Sequence, residues 1–413
     1  MRLGGKPVAG LRVYPRMSHK LFLMVASPRH GAPTSTPQQL PACSAPGDLS
    51  PPKPTDMTST LPRTLVAAAA LTAAFGAFAQ SSVTLFGVLD ASVAHISTDN
   101  GSVNGLANGG LSSSRLGFRG VEDLGGGLAA GFWLEAGIGV DNGTSGGFSF
   151  DRRSTVSLSS NALGELRLGR DKSPAYLNIE TFDPFGDVGV GGIGGSNLVG
   201  SATSAAGTPE GSAPKRASNG INYLLPATLG GFYGQVQYAF GEQLSDIPND
   251  SLRDAVALRL GYGAGPLNVA VGYGEVRGGT TAVGIDYEST NIGASYNFGV
   301  VKPMVVFATE RGNGRRVDLL GIGATVPVGA GEIRAAFSTF KRKDIDDADS
   351  KKLALGYGYN LSKRTQLYGT VARVSNDDRA NRGLAVSSSA LASPSIALGS
   401  SVTGYEFGLR HSF

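Results

Sequence analysis

Residues 232–240 read FYGQVQYAF. In an extended strand, Phe232, Gly234, Val236, Tyr238 and Phe240 share one face, and Tyr233, Gln235, Gln237 and Ala239 share the other. One face is largely apolar; the other is small or polar. The same period of two returns in Leu353, Leu355, Tyr357 and Tyr359, which alternate with Ala354, Gly356 and Gly358. It returns again at the end, where Tyr405, Phe407, Leu409, His411 and Phe413 alternate with Glu406, Gly408, Arg410 and Ser412. From Val83 onward this alternation, not a helical period, dominates the chain.

Turn signals separate sixteen such runs. They fall near 83–96, 112–121, 128–140, 148–160, 164–170, 217–225, 231–241 and 251–263, then near 266–277, 287–298, 301–311, 316–328, 332–343, 351–361, 365–375 and 402–413. One set of connections is mostly tight, as at Ala264–Gly265, Gly299–Val300 and Gly329–Gly331. The other set is mostly longer and polar, as at Ser97–Leu111, Asp171–Arg216, Gly312–Arg315 and Asn376–Ser401. Short turns on one side and long loops on the other are the layout of an outer-membrane barrel. Closure satisfies every backbone group without an exposed edge, as a bilayer requires. A lumen of sixteen strands is too wide for wall side chains to fill, so the apolar face must point outward into lipid. The expected fold is all-β: a 16-stranded antiparallel transmembrane barrel with short periplasmic turns and long extracellular loops.

Composition excludes other classes. Of 413 residues, 16% are charged and 61 are glycine, and there is a single cysteine, Cys43. One cysteine makes no disulfide scaffold. So many glycines would burden a helical enzyme at about 1 kcal/mol each. No apolar run approaches the roughly 20 residues of a membrane helix. Residues 57–79, MTSTLPRTLVAAAALTAAFGAFA, carry Arg63, then a short apolar stretch, then Ala77-Phe78-Ala79. That is the pattern of a secretory signal peptide cleaved before Gln80. The 56 residues before it hold ten prolines and no periodicity, so Met57 is the expected start and 1–56 a mis-annotated or disordered leader. Residues 1–79 contain eight of the 36 Lys/Arg and two of the 32 Asp/Glu. The mature chain, 80–413, is therefore about −2 rather than +4, and the basic balance of the whole is no nucleic-acid signal.

Four stretches carry a resemblance: VTLFGVLD from Val83, SRLGFRGVEDLGGGLAAG at Ser114–Gly131, GELRLGR at Gly164–Arg170, and the terminal FGLRHSF. In this order they resemble the Gram-negative general porins, especially those of β-proteobacteria, over essentially all of 80–413. The resemblance implies a homotrimer in the cell outer membrane, in contact with its lipid and lipopolysaccharide. It implies insertion by the barrel assembly machinery, with Phe413 as the assembly signal. It also implies that the third extracellular loop, here 171–216, folds into the lumen and sets acids against wall arginines. FDPFGD at Phe182–Asp187 resembles the loop tip, which makes Asp183 and Asp187 candidate constriction acids, with Glu180 beside them. Val88 stands where the family often has a lysine.

Parity selects the wall. With Leu116 and Phe118 outward, Arg115 and Arg119 face the lumen. With Ile221 and Tyr223 outward, Arg216 faces inward; Arg167 lies between Leu166 and Leu168. Outward Val156 and Leu158 put Arg153 inward, and a register shift before Ser154 would select Arg152 instead. Arg115 and Arg216 stand where the family carries wall arginines, so the resemblance implies a constriction of Arg115, Arg152 or Arg153, and Arg216, opposite Glu180, Asp183 and Asp187.

No Gly-rich phosphate loop, nucleophile elbow or Cys/His metal spacing is present in the sequence, so neither an enzyme nor a cofactor is expected. The expected function is general diffusion of ions and small hydrophilic solutes. The alternatives are an outer-membrane adhesin, which would be dominated by its loops, and a lipase-like barrel enzyme. The latter would have to build its site from His95 or His411.

Overall fold

The computed structural model of the chain describes residues 82–143, 149–194, 198, 215–244, 248, 250–279, 284–384 and 394–413. The leader, the Met57 start and the signal peptide lie outside the described residues. The first strands are β1 Ser82–Thr98, β2 Gly101–Asn108, β3 Arg115–Gly125, β4 Leu128–Gly137, β5 Arg153–Ser160 and β6 Gly164–Lys172. Helix α1, Pro174–Thr181, follows. Next come β7 Arg216–Leu224, β8 Phe232–Ala239, β9 Ala255–Ala264, β10 Leu267–Gly279, β11 Gly284–Tyr296 and β12 Lys302–Gly312. The last are β13 Arg315–Val328, β14 Gly331–Arg342, β15 Ser350–Asn360, β16 Thr365–Asn376 and β17 Val402–Ser412.

From β3 onward each strand pairs antiparallel with the next, and β1 pairs with β17 from Val88↔Ser412 to Ser97↔Thr403, which closes the barrel. The first half of β1 pairs with β3, from Ser82↔Val121 to Val88↔Arg115. Its second half pairs with β2, from Ala91↔Asn108 to Thr98↔Gly101. β2 and β3 therefore share one place in the wall, and the seventeen strands of the sheet make a barrel of sixteen. The sequence reading assigned Gly101–Asn108 to a loop, because GSVNGLAN offers little alternation. The overhang of β1 supplies the hydrogen bonds that hold it extended. A second difference is the β12–β13 connection, read as one of the longer loops. It is a two-residue turn of Asn313 and Gly314, with φ of 52° and 70°, the positive pair a hairpin turn of this twist requires.

The wall is the reverse of a soluble protein. Phe407, Leu353 and Phe232 are 64%, 61% and 55% exposed on the outside, while Asp90, Asn222, Gln237 and Glu406 are buried. Exposed apolar surface on this scale marks contact with a non-aqueous partner; here it forms the lipid band of a membrane barrel.

The buried core is not in the wall alone. Segment 173–194 enters the lumen, and its Ile179, Phe182, Phe185, Val190 and Ile193 pack with inward residues such as Val306, Leu319, Ala336 and Tyr368. Each large side chain so buried is worth about 1.5–3 kcal/mol. Glycines on the wall make the seat. A Cβ at Gly293 would lie 2.0 Å from the Phe182 ring, and one at Gly272 would lie 3.1 Å from Asn178. The loop carries α1, which Pro174 opens: its φ is preset and its missing N–H is not needed at a helix start.

Candidate pore constriction

Helix α1 is fixed to the wall by polar side chains. Asn178 Nδ2 donates to the Asn291 Oδ1 (2.7 Å) and to the Ala270 carbonyl (3.1 Å), and Asn291 Nδ2 donates to the Ala175 carbonyl (3.1 Å). Arg259 on β9 donates from Nε to Asn178 Oδ1 (2.9 Å) and from Nη2 to Thr181 Oγ1 (3.0 Å). The helix is thereby held with Leu177 and Glu180 facing a lumen cleft of about 380 Å³.

Across that cleft stands a wall of cations. Arg115, Arg152, Arg153, Arg167, Lys172 and Arg216 line it, against the carboxylates Glu135, Asp171 and Glu180. Among the described residues, six positive groups meet three negative ones. Glu135 Oε1 accepts from Arg152 Nε at 2.6 Å and lies 3.7 Å from Arg115 Nε. Arg216 Nε donates to the Arg152 carbonyl (2.8 Å), which joins β7 to the approach of β5. Arg167 bridges Glu165 (2.8 Å) and Asp171 (2.6 Å), and Arg153 lies 3.9 Å from Asp171 with its guanidinium 4.5 Å from the Trp133 ring centroid. Lys172 Nζ pairs with Glu180 of α1 at 2.5 Å. Bidentate and stacked guanidinium groups hold their direction better than free lysines, so these charges stand at fixed places on the wall.

The sequence-predicted residues are distributed as follows. Arg115 and Arg216 share the cleft. Both Arg152 and Arg153 reach it: Arg153 begins β5 and points inward by parity, whereas Arg152 precedes the strand, is not bound by its alternation and turns to Glu135. Glu180 faces the arginines. Asp183 and Asp187 do not. Asp183 accepts the amides of Phe185 (2.9 Å), Asp187 (2.7 Å) and Ile193 (2.8 Å) and is buried inside the loop. Burial and the neighbouring Asp187 carboxylate push its carboxyl up to about 6, against the pull of those amides. Asp187 is buried as well, 3.8 Å from Lys215 Nζ. A tight turn with many inward-pointing amides needs an acceptor, and that use takes the tip acids away from the lumen. Phe413 exchanges both backbone hydrogen bonds with Gly87 at 3.1 Å. Its ring covers Gly87, where a Cβ would lie 2.4 Å away.

Several partners escaped the sequence reading. Glu135 was legible by parity, since Leu134 and Phe132 flank its inward face. Lys172 and Arg382 were not: a register shift between Gly169 and Asp171 breaks the parity of β6 before Lys172, and Arg382 lies in a loop, which has none. Arg382, in the loop after β16, donates to the Gly194 carbonyl (2.9 Å) and lies 3.4 Å from the Phe340 ring centroid. Burial pulls its guanidinium down to about 10, still cationic at neutral pH. Lys352 donates to the Gly192 carbonyl, and Glu406 accepts the Val190 amide (3.1 Å). The loop is thus tied to the wall on both sides.

A closed sixteen-strand barrel, apolar outside and narrowed within by its own loop, defines a class: passive channels of outer membranes. The known relatives agree. The Gram-negative porin family model matches residues 65–379. Outer membrane porin protein 32 of Delftia acidovorans is 39% identical over 359 residues, covering 85% of this chain and 99% of that protein. An outer membrane porin protein of Bordetella pertussis is 31% identical over 370 residues, covering 74% of this chain and 92% of that protein. Among solved structures, an anion-selective porin from Comamonas acidovorans superposes with a TM-score of 0.72 at 38% identity, covering 81% of this chain and 100% of that one. The chain belongs to the Gram-negative porin family. It is an outer-membrane porin, a general-diffusion channel through which ions and small hydrophilic solutes pass.

Proposed function

We propose that the cleft between α1 and the β3–β7 wall is the constriction of this channel and that it favours anions. The observation that carries this is the count of six cations against three carboxylates at one narrow place. Charges in a lumen bounded by low-dielectric wall interact more strongly than in bulk water, and a surplus of one sign concentrates the opposite ion. The anion-selective title of the Comamonas acidovorans relative supports the same sign. The residues assigned to the constriction are Arg115, Arg152, Arg153, Arg167, Lys172 and Arg216 on the wall, with Glu180 on the loop. The test is the reversal potential across a planar bilayer under a potassium chloride gradient. A potential of chloride sign is expected; one of potassium sign overturns the assignment.

We further propose that the barrel assembles as a homotrimer and that Phe413 is its assembly signal. The trimer form named for a Vibrio cholerae outer membrane protein of the same fold supports the first. Support for the second is the place of Phe413 on the β1–β17 seam, where its main chain pairs with Gly87. Deletion of Phe413 removes both hydrogen bonds and the ring over Gly87. Heat-modifiable oligomers in outer membranes are expected to fall severalfold, while unfolded chain accumulates in the periplasm. Oligomers at the parental level would overturn the proposal.

A further inference from the structure

Segment 173–194 buries most of its apolar side chains against the wall, Ile179, Phe182, Phe185, Val190 and Ile193 among them. Leu177 and Val188 are the exceptions. Both are half-buried and line the loop side of the lumen cleft, facing the arginines. Apolar surface left on water is unfavourable, and the same cleft carries Ser112, Ser113 and Gln235, so polar side chains fit its walls. Lys215 fixes the two apolar groups beside Arg216. Its Nζ lies 3.8 Å from Asp187 Oδ2 and 5.2 Å from the Tyr176 ring centroid, and these residues precede Val188 and Leu177. The Ser173 amide donates to the Lys215 carbonyl, and the Leu177 amide donates to the Ser173 carbonyl, each at 2.9 Å. Leu177 therefore stands one helical turn, about 5.4 Å, from a residue hydrogen-bonded to the chain next to Arg216.

Arg216 is also the wall cation with donors to spare. Arg152, Arg167 and Lys172 are each paired with a carboxylate. Arg216 uses Nε on the Arg152 carbonyl (2.8 Å). Among the described residues, no carboxylate lies within 4 Å of its guanidinium and no acceptor takes its two Nη groups. A carboxylate meets a guanidinium with two parallel hydrogen bonds, which is the use left open here. We propose that the constriction takes amphipathic monocarboxylates: Arg216 receives the carboxylate, and the hydrocarbon lies on Leu177 and Val188. This rests on the anion-favouring cleft proposed above and adds an apolar side to it. A compact anion such as chloride uses the charged side alone. A channel site must also let its solute leave, and two half-covered side chains offer contact of that modest strength.

The test adds sodium benzoate, sodium gluconate or benzamide to single channels carrying potassium chloride current and reads the half-blocking concentration of each. Gluconate has the carboxylate on a bulky, hydroxyl-covered body; benzamide has the ring without the charge. Each methylene equivalent taken from water is worth roughly fourfold in affinity, so benzoate is expected to block at about a tenth of the gluconate concentration. Benzamide is expected not to block in that range. In Leu177→Ser/Val188→Ser the ratio of gluconate to benzoate concentrations is expected to fall to about two. Leu177→Met/Val188→Ile keeps the hydrocarbon and is expected to keep the parental ratio. Arg216→Gln is expected to weaken block by both carboxylates. Equal half-blocking concentrations for benzoate and gluconate in the parent, a parental ratio in the serine variant, unchanged block in Arg216→Gln, or block by benzamide at the benzoate concentration would each overturn the proposal. The reversal potential of the parent in potassium chloride separates the two readings. Chloride sign with equal block by both carboxylates defeats the apolar subsite and leaves the selective constriction standing; potassium sign defeats the constriction itself.

Discussion

Replacing Arg115, Arg152 and Arg216 together by alanine is expected to abolish most of the anion preference. The cleft holds six cations and three carboxylates, so removing three guanidinium groups leaves the two signs balanced. The reversal potential under a low-salt gradient should move from the chloride side to near zero. It should fall short of strong potassium selectivity, because Arg153, Arg167 and Lys172 remain with their acids. The effect has a second signature. Screening length is about 10 Å at 0.1 M and about 3 Å at 1 M, so parent and variant should converge as salt rises. Stability should fall somewhat without loss of the fold: Arg152 and Glu135 are only 15% and 12% exposed, so the carboxylate is left largely buried without its partner. The strand ladders that hold the barrel do not involve their side chains. An unchanged potential in the folded variant would place the constriction elsewhere.

The second large effect should come from a residue with no charge. Gly293→Val puts a methine carbon where the Phe182 ring now sits, 2.0 Å from its nearest atom. Valine suits a strand, so β11 and the barrel should persist, while Phe182 must leave its seat. The loss should approach that of a large core aromatic, about 3–5 kcal/mol, borne by the loop alone. Single-channel current should become larger and unsteady as segment 173–194 leaves the wall. Phe182→Ala in the same chain makes room for the valine. The double variant should therefore recover a steadier current than Gly293→Val alone, the coupling expected of residues in contact. Parental conductance and noise in Gly293→Val would show that the loop does not rest on this wall.

The barrel was legible because each strand states its own inside and outside. Leu116 and Phe118 fix Arg115, Val156 and Leu158 fix Arg153, and Ile221 and Tyr223 fix Arg216, all without tertiary information. The limits of that reasoning lie where alternation stops. Arg152 is one residue before β5, and only the Glu135 carboxylate decides its direction. Asp183 was read as a lumen acid from the resemblance of FDPFGD to the family's loop tip, and a turn has no parity to correct it, yet the three amides around it claim its oxygens. β2 escaped for a different reason: its extended form comes from the free edge of β1, not from its own residues.

The seam between β1 and β17 has a kinetic consequence. It pairs Val88 with Ser412 and Ser97 with Thr403, positions about 300 residues apart, and such non-local pairings slow folding because chain entropy is lost before contacts form. The loop faces the same delay. Phe182 and Phe185 precede in the chain the strands that carry Gly293 and Gly356, against which their rings rest. While the protein crosses the periplasm these aromatics have no seat and the two terminal strands have no neighbour. The unfinished chain is therefore most prone to aggregate just before its last strand arrives. A holding factor that shields apolar loop and edge would be needed longest by the completed but unclosed chain, and its removal should deplete this protein more than a barrel of eight strands.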